Sequence, residues 1–219
     1  LEKRRFPNSN DHELMEWFTK NGGKLNFVSP DGTRGGSRKL VADEDISNED
    51  VILEVPFQIT MNQMSVRNIK VGHTGRYLDE FIGGLFGKNQ EWGLAAFLLF
   101  EISKGNNSKW WPFIRTLDMH VMTTGIITEL EGTYTADRIR RWEEEAEDMH
   151  KFFEKVVGQK DHMGNVQETW STRKKLRWAL WAARRHSIYV TKATTGKRFK
   201  AFVPFANYLK HKRGSGGGS

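Results

Sequence analysis

The stretch that decides the fold is residues 92–117, which read WGLAAFLLFEISKGNNSKWWPFIRTL. Its first half consists of apolar residues and good helix formers, and these cover nearly every face of a 3.6-residue repeat. The pattern predicts a helix that is buried on all sides, with the remaining elements folded around it. Gly105 and the two asparagines after it predict the helix end. By itself, this pattern is typical of the core helix of a globular domain.

Composition limits the classes of protein that the chain can belong to. The 219 residues are 37% hydrophobic and include 8 tryptophans, which is enough for a core and argues against wholesale disorder. The absence of cysteine excludes disulfides, thiolate metal sites and a cysteine nucleophile. No apolar run has the length of a membrane span, and residues 1–10 show no signal-peptide apolar region. We therefore expect an intracellular protein without a membrane partner; nucleus, cytoplasm and organelle are not distinguished.

The formal net charge of +7 is a moderate excess of positive charge. It fits an acidic partner, nucleic acid or a basic proteome. Because no RNP motif, zinc finger or helix-turn-helix signature accompanies it, a solvated basic surface is the simpler interpretation. A nucleic-acid-binding module is kept as one hypothesis for the function, and it predicts steeply salt-dependent binding.

The N-terminal third predicts one helix and several short strands. Asp11 is a plausible N-cap for a helix over residues 11–21, with Leu14 and Phe18 on its apolar face. Residues 25–29 predict a strand that ends in a turn over residues 30–32.

Further along, residues 40–56 predict two short strands joined by a turn at residues 47–50. Glycines between residues 72 and 87 predict loops around a short helix near residues 77–81.

Two further helices are predicted in the second half of the chain. One is long and amphipathic and starts at about Ala136, and its charged residues 138–145 are interpreted as a solvated face rather than a catalytic carboxylate pair. The other covers residues 169–190. The final residues, 214–219, have flexible-linker composition.

The residue patterns of several segments, taken in chain order, resemble the motifs of one family. The core stretch resembles L-x-x-x-L-L-x-E-x-x-K-G followed by S-K-W-x-P-[FY]-x-x-x-L, and residues 40–56 resemble L-V-A-x-x-D-I-x-x-G-[ED]-x-[IV]-x-x-[IV]-P. The residues that match in the core stretch are Leu94, Leu98, Leu99, Glu101, Lys104, Gly105, Ser108, Lys109, Trp110, Pro112, Phe113 and Leu117. The chain is thus similar to SET-domain protein methyltransferases of the Rubisco large-subunit methyltransferase and actin-histidine methyltransferase class.

The resemblance implies an α+β fold, in which a SET-domain β-fold of short strands carries a large helical insertion. It also implies a division of the chain into segments. These are an N-terminal lead-in helix (1–23), the N-terminal part of the SET domain with the buried helix (24–125), the helical insertion (126–196), the start of the C-terminal SET segment (197–213) and a flexible linker or tail (214–219).

The resemblance further implies S-adenosyl-L-methionine as the cofactor and a protein as the substrate, with no metal. The positions that match cofactor-binding segments of the family are Gly36, Ser37, Arg38, Lys39, Arg185, His186, Asn207, Lys210 and His211. The catalytic tyrosine of the family is expected beyond the chain end, so no catalytic residue is assigned.

Some of these positions depart from the family pattern. The departures are Ser37 and Lys39 for two glycines, His186 for arginine with Arg185 beside it, Asn207 for aspartate and Lys210 for asparagine. Glycine lets backbone approach a ligand, and lysine only donates hydrogen bonds where asparagine also accepts them. Two functions therefore follow from the sequence. One is N-methylation of lysine or histidine in a protein substrate. The other is a catalytically silent SET scaffold that binds partners in a larger assembly.

Overall fold

The structure, a computed structural model, describes residues 9–31, 38–66, 75–117, 131–157 and 173–209. Its helices and short antiparallel strand pairs form the α+β fold that the sequence predicts. The chain divides into two compact units. The first contains the described residues up to Thr60 together with residues 203–209, and the second extends from Met61 to Phe202.

Helix α1 (Ser9–Lys20) opens the first unit. Leu14 and Phe18 are fully buried, which confirms the predicted apolar face. The helix begins two residues before Asp11, so the prediction that Asp11 caps it is wrong. Asp11 lies instead in the first turn, where it is only 2% exposed. Gly22 has a φ of 84° and ends the helix by donating its N–H to the Thr19 carbonyl at 2.9 Å.

Four short strands follow in two antiparallel pairs. Strand β1 (Lys24–Leu25) pairs with β4 (Leu53–Glu54), and β2 (Val28–Asp31) pairs with β3 (Lys39–Ala42). The continuous strand predicted over residues 25–29 is interrupted because Phe27 adopts a left-handed conformation, with a φ of 60°.

One other detail of the strand prediction is wrong. Pro30 and Asp31 belong to β2 rather than to a turn. The turn predicted at residues 47–50 is confirmed, with the Asp50 N–H donating to the Ser47 carbonyl at 3.2 Å, and the strands on either side of it do not pair with each other. Each pairs with an earlier strand, because strand pairing depends on contacts distant in sequence.

Residues 203–209 also belong to this unit, although the whole second unit, Met61–Phe202, lies between them and Thr60 in the sequence. A 3₁₀ turn (Ala206–Tyr208) packs against β3, and a second 3₁₀ turn (Phe57–Ile59) follows β4. Phe205 is fully buried and its ring meets the ring of Phe18 edge-on, with centroids 4.8 Å apart. Segments 40–56 and 203–209 therefore share one compact unit, as the resemblance requires.

The second unit is mostly helical. Its elements are α2 (Gln63–Val66), α3 (Gly75–Lys88), α4 (Gln90–Ser103), a 3₁₀ turn (Gly105–Asn107), α5 (Trp111–Ile114), α6 (Tyr134–Val157), α7 (Arg173–His186), β5 (Ser187–Thr191) and β6 (Arg198–Phe202). Strands β5 and β6 form an antiparallel hairpin. No helix in the described ranges is both long enough and apolar enough to cross a membrane.

Helix α4 is the predicted core helix. Every residue from Gly93 to Glu101 is buried, and the helix packs against α3, α7 and β6. A Cβ atom at Gly93 would lie 2.3 Å from the ring of Phe86, so the close packing of α3 on α4 requires glycine there. The side chain of Asn89 caps the helix by accepting from the Glu91 N–H at 2.8 Å.

The end of α4 and the residues that follow it, which match the family pattern, form a buried polar cluster. Glu101 is fully buried, and its two carboxylate oxygens accept from Lys104 Nζ and from Ser108 Oγ, each at 2.6 Å. Burial lowers the pKa of the neighbouring Lys109; attraction to Glu101 acts in the opposite direction, and repulsion from Lys104 adds to the lowering. The spacing E-x-x-K-x-x-x-S thus supplies a donor for each oxygen of a carboxylate that would otherwise be costly to bury.

Two helix predictions in this unit need correction. Gly83, Gly84 and Gly87 lie inside α3 rather than in loops, and a Cβ atom at each would meet no neighbour within 4 Å. The last helix ends at His186, so the residues up to Val190 belong to β5. The long helix expected from about Ala136 is confirmed as α6.

Candidate functional site

Three of the predicted cofactor positions lie in the first unit. Arg38 immediately precedes β3, Lys39 is the first residue of β3, and Asn207 is the central residue of the 3₁₀ turn Ala206–Tyr208. Since β3 packs against this turn, the structure brings the two segments together. Four other predicted positions lie outside the described residues, and these are Gly36, Ser37, Lys210 and His211.

Asp11 joins the two segments to α1. Its Oδ1 atom accepts from Arg38 Nε at 2.8 Å and from the Tyr208 hydroxyl at 3.0 Å. Asp11 and Tyr208 are nearly inaccessible, and Arg38 retains 28% side-chain exposure. Charge-assisted hydrogen bonds of this kind contribute more than neutral ones, so Asp11 holds the start of β3 and the 3₁₀ turn in a fixed arrangement.

The sequence does not indicate this role for Asp11 or Tyr208. Their positions are 197 residues apart, and Arg38 is 27 residues from Asp11. No spacing rule links residues at such separations. The only available signal was the acidic residue in the first turn of a helix, and this is equally typical of ordinary capping.

Lys39 is held by a cross-strand ion pair. Its Nζ lies 3.3 Å from Asp31 Oδ2, and the two residues are register partners of β2 and β3. Both side chains are substantially exposed, so the pair adds little stability. It does place a carboxylate beside the ammonium group, which reduces the net charge at this position.

The 3₁₀ turn has two unusual local features. Phe205, just before it, has a φ of 64°, a rare conformation for a bulky residue that the burial of its ring against Phe18 and Tyr208 stabilises. Asn207 Oδ1 is buried and accepts no hydrogen bond from the part of the chain that the structure describes. A buried amide oxygen without a donor is uncommon and marks a position where a ligand donor would fit.

Arg185 and His186 lie in the second unit, at the end of α7. Arg185 is exposed, and its guanidinium lies 5.2 Å from the centre of the Trp181 ring. The His186 ring meets the same tryptophan edge-on, at 5.7 Å. Trp181 therefore orients both candidate residues.

A second cluster of charges lies at the start of α4. Glu91 accepts from Arg184 Nε at 2.8 Å and from Lys200 Nζ, and Arg184 also pairs with Glu145. Partial burial acts to raise the pKa of Glu91, but the hydrogen bonds and charges of Lys200 and Arg184 outweigh it, so the pKa lies below its ordinary value of 4.5. Glu91 is thus the anionic centre that joins α4, α7 and β6.

Comparison with known proteins identifies the architecture. No protein-family model and no curated protein matches the sequence. The SET domain of LSMT bound to lysine and AdoHcy is similar in structure, with a TM-score of 0.71 and 20% identity over 94% of this chain and 44% of that chain. The chain has a SET-domain fold.

Two further SET structures agree with this assignment. The SET domain of LSMT bound to methyllysine and AdoHcy gives a TM-score of 0.72 at 19% identity. Rubisco LSMT bound to sinefungin and monomethyllysine gives 0.69, also at 19% identity. In both cases the match covers 94% of this chain and 46% of the other. The chain therefore spans less than half the length of these SET structures.

Proposed function

We propose that this chain is the cofactor-binding part of a SET-domain protein N-methyltransferase that uses S-adenosyl-L-methionine and acts on a lysine or histidine side chain of a protein. The observation that carries the proposal is the match of 94% of the chain to SET structures that hold AdoHcy or sinefungin together with lysine or its methylated forms. These structures are about 20% identical to the chain, so the likeness supports a fold that is able to hold the cofactor. Methyl transfer by this chain is what we propose in addition.

The described residues of the first unit fit such a ligand in two respects. Asn207 offers a buried amide oxygen with hydrogen-bonding capacity left over, which suits the amino or hydroxyl groups of the cofactor. Lys39, which stands where the family has glycine, is paired with Asp31, and this pairing reduces the repulsion between its ammonium group and a sulfonium. We assign the remaining contacts to Gly36, Ser37, Arg38, Arg185, His186, Lys210 and His211.

When bound, S-adenosyl-L-methionine would supply an electrophilic methyl group. The contribution of this chain is positioning, which is the main source of rate enhancement when a neutral amine attacks in line. Asp11 holds Arg38 and Tyr208, and thereby orients the segments that carry Lys39 and Asn207. Fixing these segments before the ligand arrives lowers the entropy lost on binding.

The competing function is a SET scaffold that binds partners without methyl transfer. It is favoured by the fact that Arg38 and Lys39 are both engaged by carboxylates of this chain. Cations that are already paired offer less to an anionic group of a ligand. The substitutions at His186, Asn207 and Lys210 point in the same direction.

Titration calorimetry with S-adenosyl-L-methionine and with AdoHcy separates the two functions. The methyltransferase proposal predicts saturable binding in the micromolar range. Asn207→Ala should weaken it about tenfold, because a buried hydrogen bond contributes roughly 1–2 kcal/mol. Asn48→Ala, an exposed loop asparagine of the same unit, is the matched control and should bind like the parent chain. Absence of heat at millimolar ligand would leave the scaffold as the function.

A further inference from the structure

A broad cleft opens on the second unit between α6, α7 and the start of α4. Its volume is about 720 Å³. Five basic side chains line it, against two carboxylates, Glu91 and Glu145, so the cleft carries an excess of three positive charges. The basic residues are Arg138, Arg141, Arg184, Arg185 and Lys200.

The two carboxylates form ion pairs with basic side chains that also line the cleft. Arg184 contacts both Glu91 and Glu145, and Lys200 contacts Glu91. Arg138, Arg141 and Arg185 are exposed, and none of them has a carboxylate partner among the described residues. The excess charge is thus located on three arginines that are accessible from solvent.

Aromatic rings hold two of these arginines in place. The guanidinium of Arg138 lies 5.0 Å from the centre of the Trp142 ring, and that of Arg185 lies 5.2 Å from the centre of the Trp181 ring. Contact with a ring uses the face of the guanidinium and leaves the N–H groups in its plane free to donate. Such an arginine is oriented in advance for bidentate binding of a carboxylate.

We infer that this cleft binds an acidic segment of a partner protein, through Arg138 and Arg141. This inference goes beyond the proposed methyl transfer and does not require cofactor binding. It assigns to the charged face of α6, interpreted from sequence as merely solvated, the recognition of carboxylate side chains.

The geometry favours an acidic peptide over single-stranded nucleic acid. Binding of a single strand relies on aromatic faces on which bases stack. Here the guanidiniums of Arg138 and Arg184 lie over the Trp142 ring, at 5.0 and 5.4 Å, and Arg185 lies over Trp181. The exposed ring of Tyr134, 6.0 Å from the Arg138 guanidinium, is a single stacking face, and a single strand binds by stacking successive bases. The presence of Glu91 and Glu145 in the cleft also suits separated carboxylates on a flexible peptide better than a continuous row of phosphates.

The inference can be tested by fluorescence anisotropy with the whole chain and no cofactor. The probe is a fluorescein-labelled peptide that alternates glutamate and glycine, compared with the same peptide carrying glutamine and with an oligothymidylate of equal charge. We expect the glutamate peptide to bind more tightly than the other two and to weaken as salt is added. The double variant R138E/R141E should weaken peptide binding about tenfold or more.

The matched control is K174E/K175E, which changes the net charge equally at two exposed lysines of α7 that do not line the cleft. It should retain peptide binding within about twofold. Equal losses in both double variants would mean long-range attraction alone and would overturn the inference. So would tighter binding of the oligothymidylate with the same dependence on Arg138 and Arg141. If R138E/R141E does not fold, R138Q/R141Q replaces it, and unchanged peptide binding in that variant also rejects the site.

Discussion

Two buried carboxylates, one in each unit, are held in different ways. Glu101, at the end of α4, accepts hydrogen bonds on both oxygens, from Lys104 and Ser108. Asp11, in the first turn of α1, receives both of its donors, Arg38 and Tyr208, on one oxygen, and its buried Oδ2 accepts nothing from the described residues.

The difference shows what each cluster does. The partners of Glu101 lie three and seven residues away, so its cluster closes one helix end locally. The partners of Asp11 lie 27 and 197 residues away, so its cluster ties three distant segments together at the candidate cofactor site. We therefore expect changes at Glu101 to affect stability, and changes at Asp11 to affect both stability and ligand binding.

The largest effect is expected for Glu101→Ala. Glu101→Ala should cost about 3 kcal/mol, because it breaks two hydrogen bonds to a buried carboxylate, leaves the buried Ser108 hydroxyl without its acceptor and forms a cavity. Urea unfolding followed by tryptophan fluorescence measures this loss. The control Glu144→Ala, at an exposed position of α6, should change the free energy of unfolding by less than about 0.5 kcal/mol. A loss below 1 kcal/mol for Glu101→Ala would contradict the cluster's structural role.

Asp11→Ala should cost less, about 2 kcal/mol, because Asp11 accepts its hydrogen bonds on one oxygen only, and its buried Oδ2, which has no donor among the described residues, already opposes folding. Unlike Glu101→Ala, it should also weaken AdoHcy binding in calorimetry, since Arg38 and the 3₁₀ turn lose their common anchor. Glu44→Ala, an exposed change in the loop after β3 of the same unit, is the control for both measurements. Unaltered ligand affinity in a folded Asp11→Ala variant would reduce the cluster to a purely structural contact.

Tyr208→Phe isolates one of the two hydrogen bonds to Asp11. The phenyl ring keeps its packing against Phe205, and the expected loss is about 1.5 kcal/mol, the contribution of a hydrogen bond to a charged group. A double-mutant cycle with Asp11→Ala checks this attribution. The two losses should not add, since both remove the same bond. Simple additivity would show that the hydroxyl acts through a different group.

The smallest effect is expected for Glu91, because this carboxylate is only partly buried, whereas Glu101 and Asp11 are buried. Its pKa is lowered on folding, so its stabilising contribution is fully present above the unfolded pKa and is lost as the pH falls through the folded value. Glu91→Gln should cost about 1 kcal/mol at neutral pH, and the difference from the parent chain should shrink progressively below about pH 4.5. Unfolding free energies measured across this range test the sign; a difference that grows on acidification would refute it.

The resemblance gave the right architecture but could not show how the site residues are partnered. The order of the family motifs predicted Arg38, Lys39 and Asn207 at cofactor positions. In the structure, β3, which begins at Lys39, packs against the 3₁₀ turn that contains Asn207. The resemblance could not show that Asp11 and Asp31 neutralise the two cations. Whether Arg185 and His186 contact the cofactor stays a prediction.

Errors in the fold prediction occurred where distant contacts override local preference. The glycines of α3 were interpreted as loop residues because glycine disfavours helix, yet they lie within a helix that packs on α4. The strands that flank residues 47–50 were predicted without their pairing partners, and in the structure β3 and β4 pair with β2 and β1. Pairing depends on which strand faces which, and short strands carry little information about that choice.

The sequence by itself determined α4 and its end near Gly105, because each depends on side chains within a few residues of one another. The tertiary structure alone decided that Asp11 would meet Arg38 and Tyr208, and that arginines of α6 and α7 would line one cleft. The physical reason is distance along the chain. Helical periodicity fixes the relative positions of near neighbours, whereas contacts between remote residues depend on how whole elements pack.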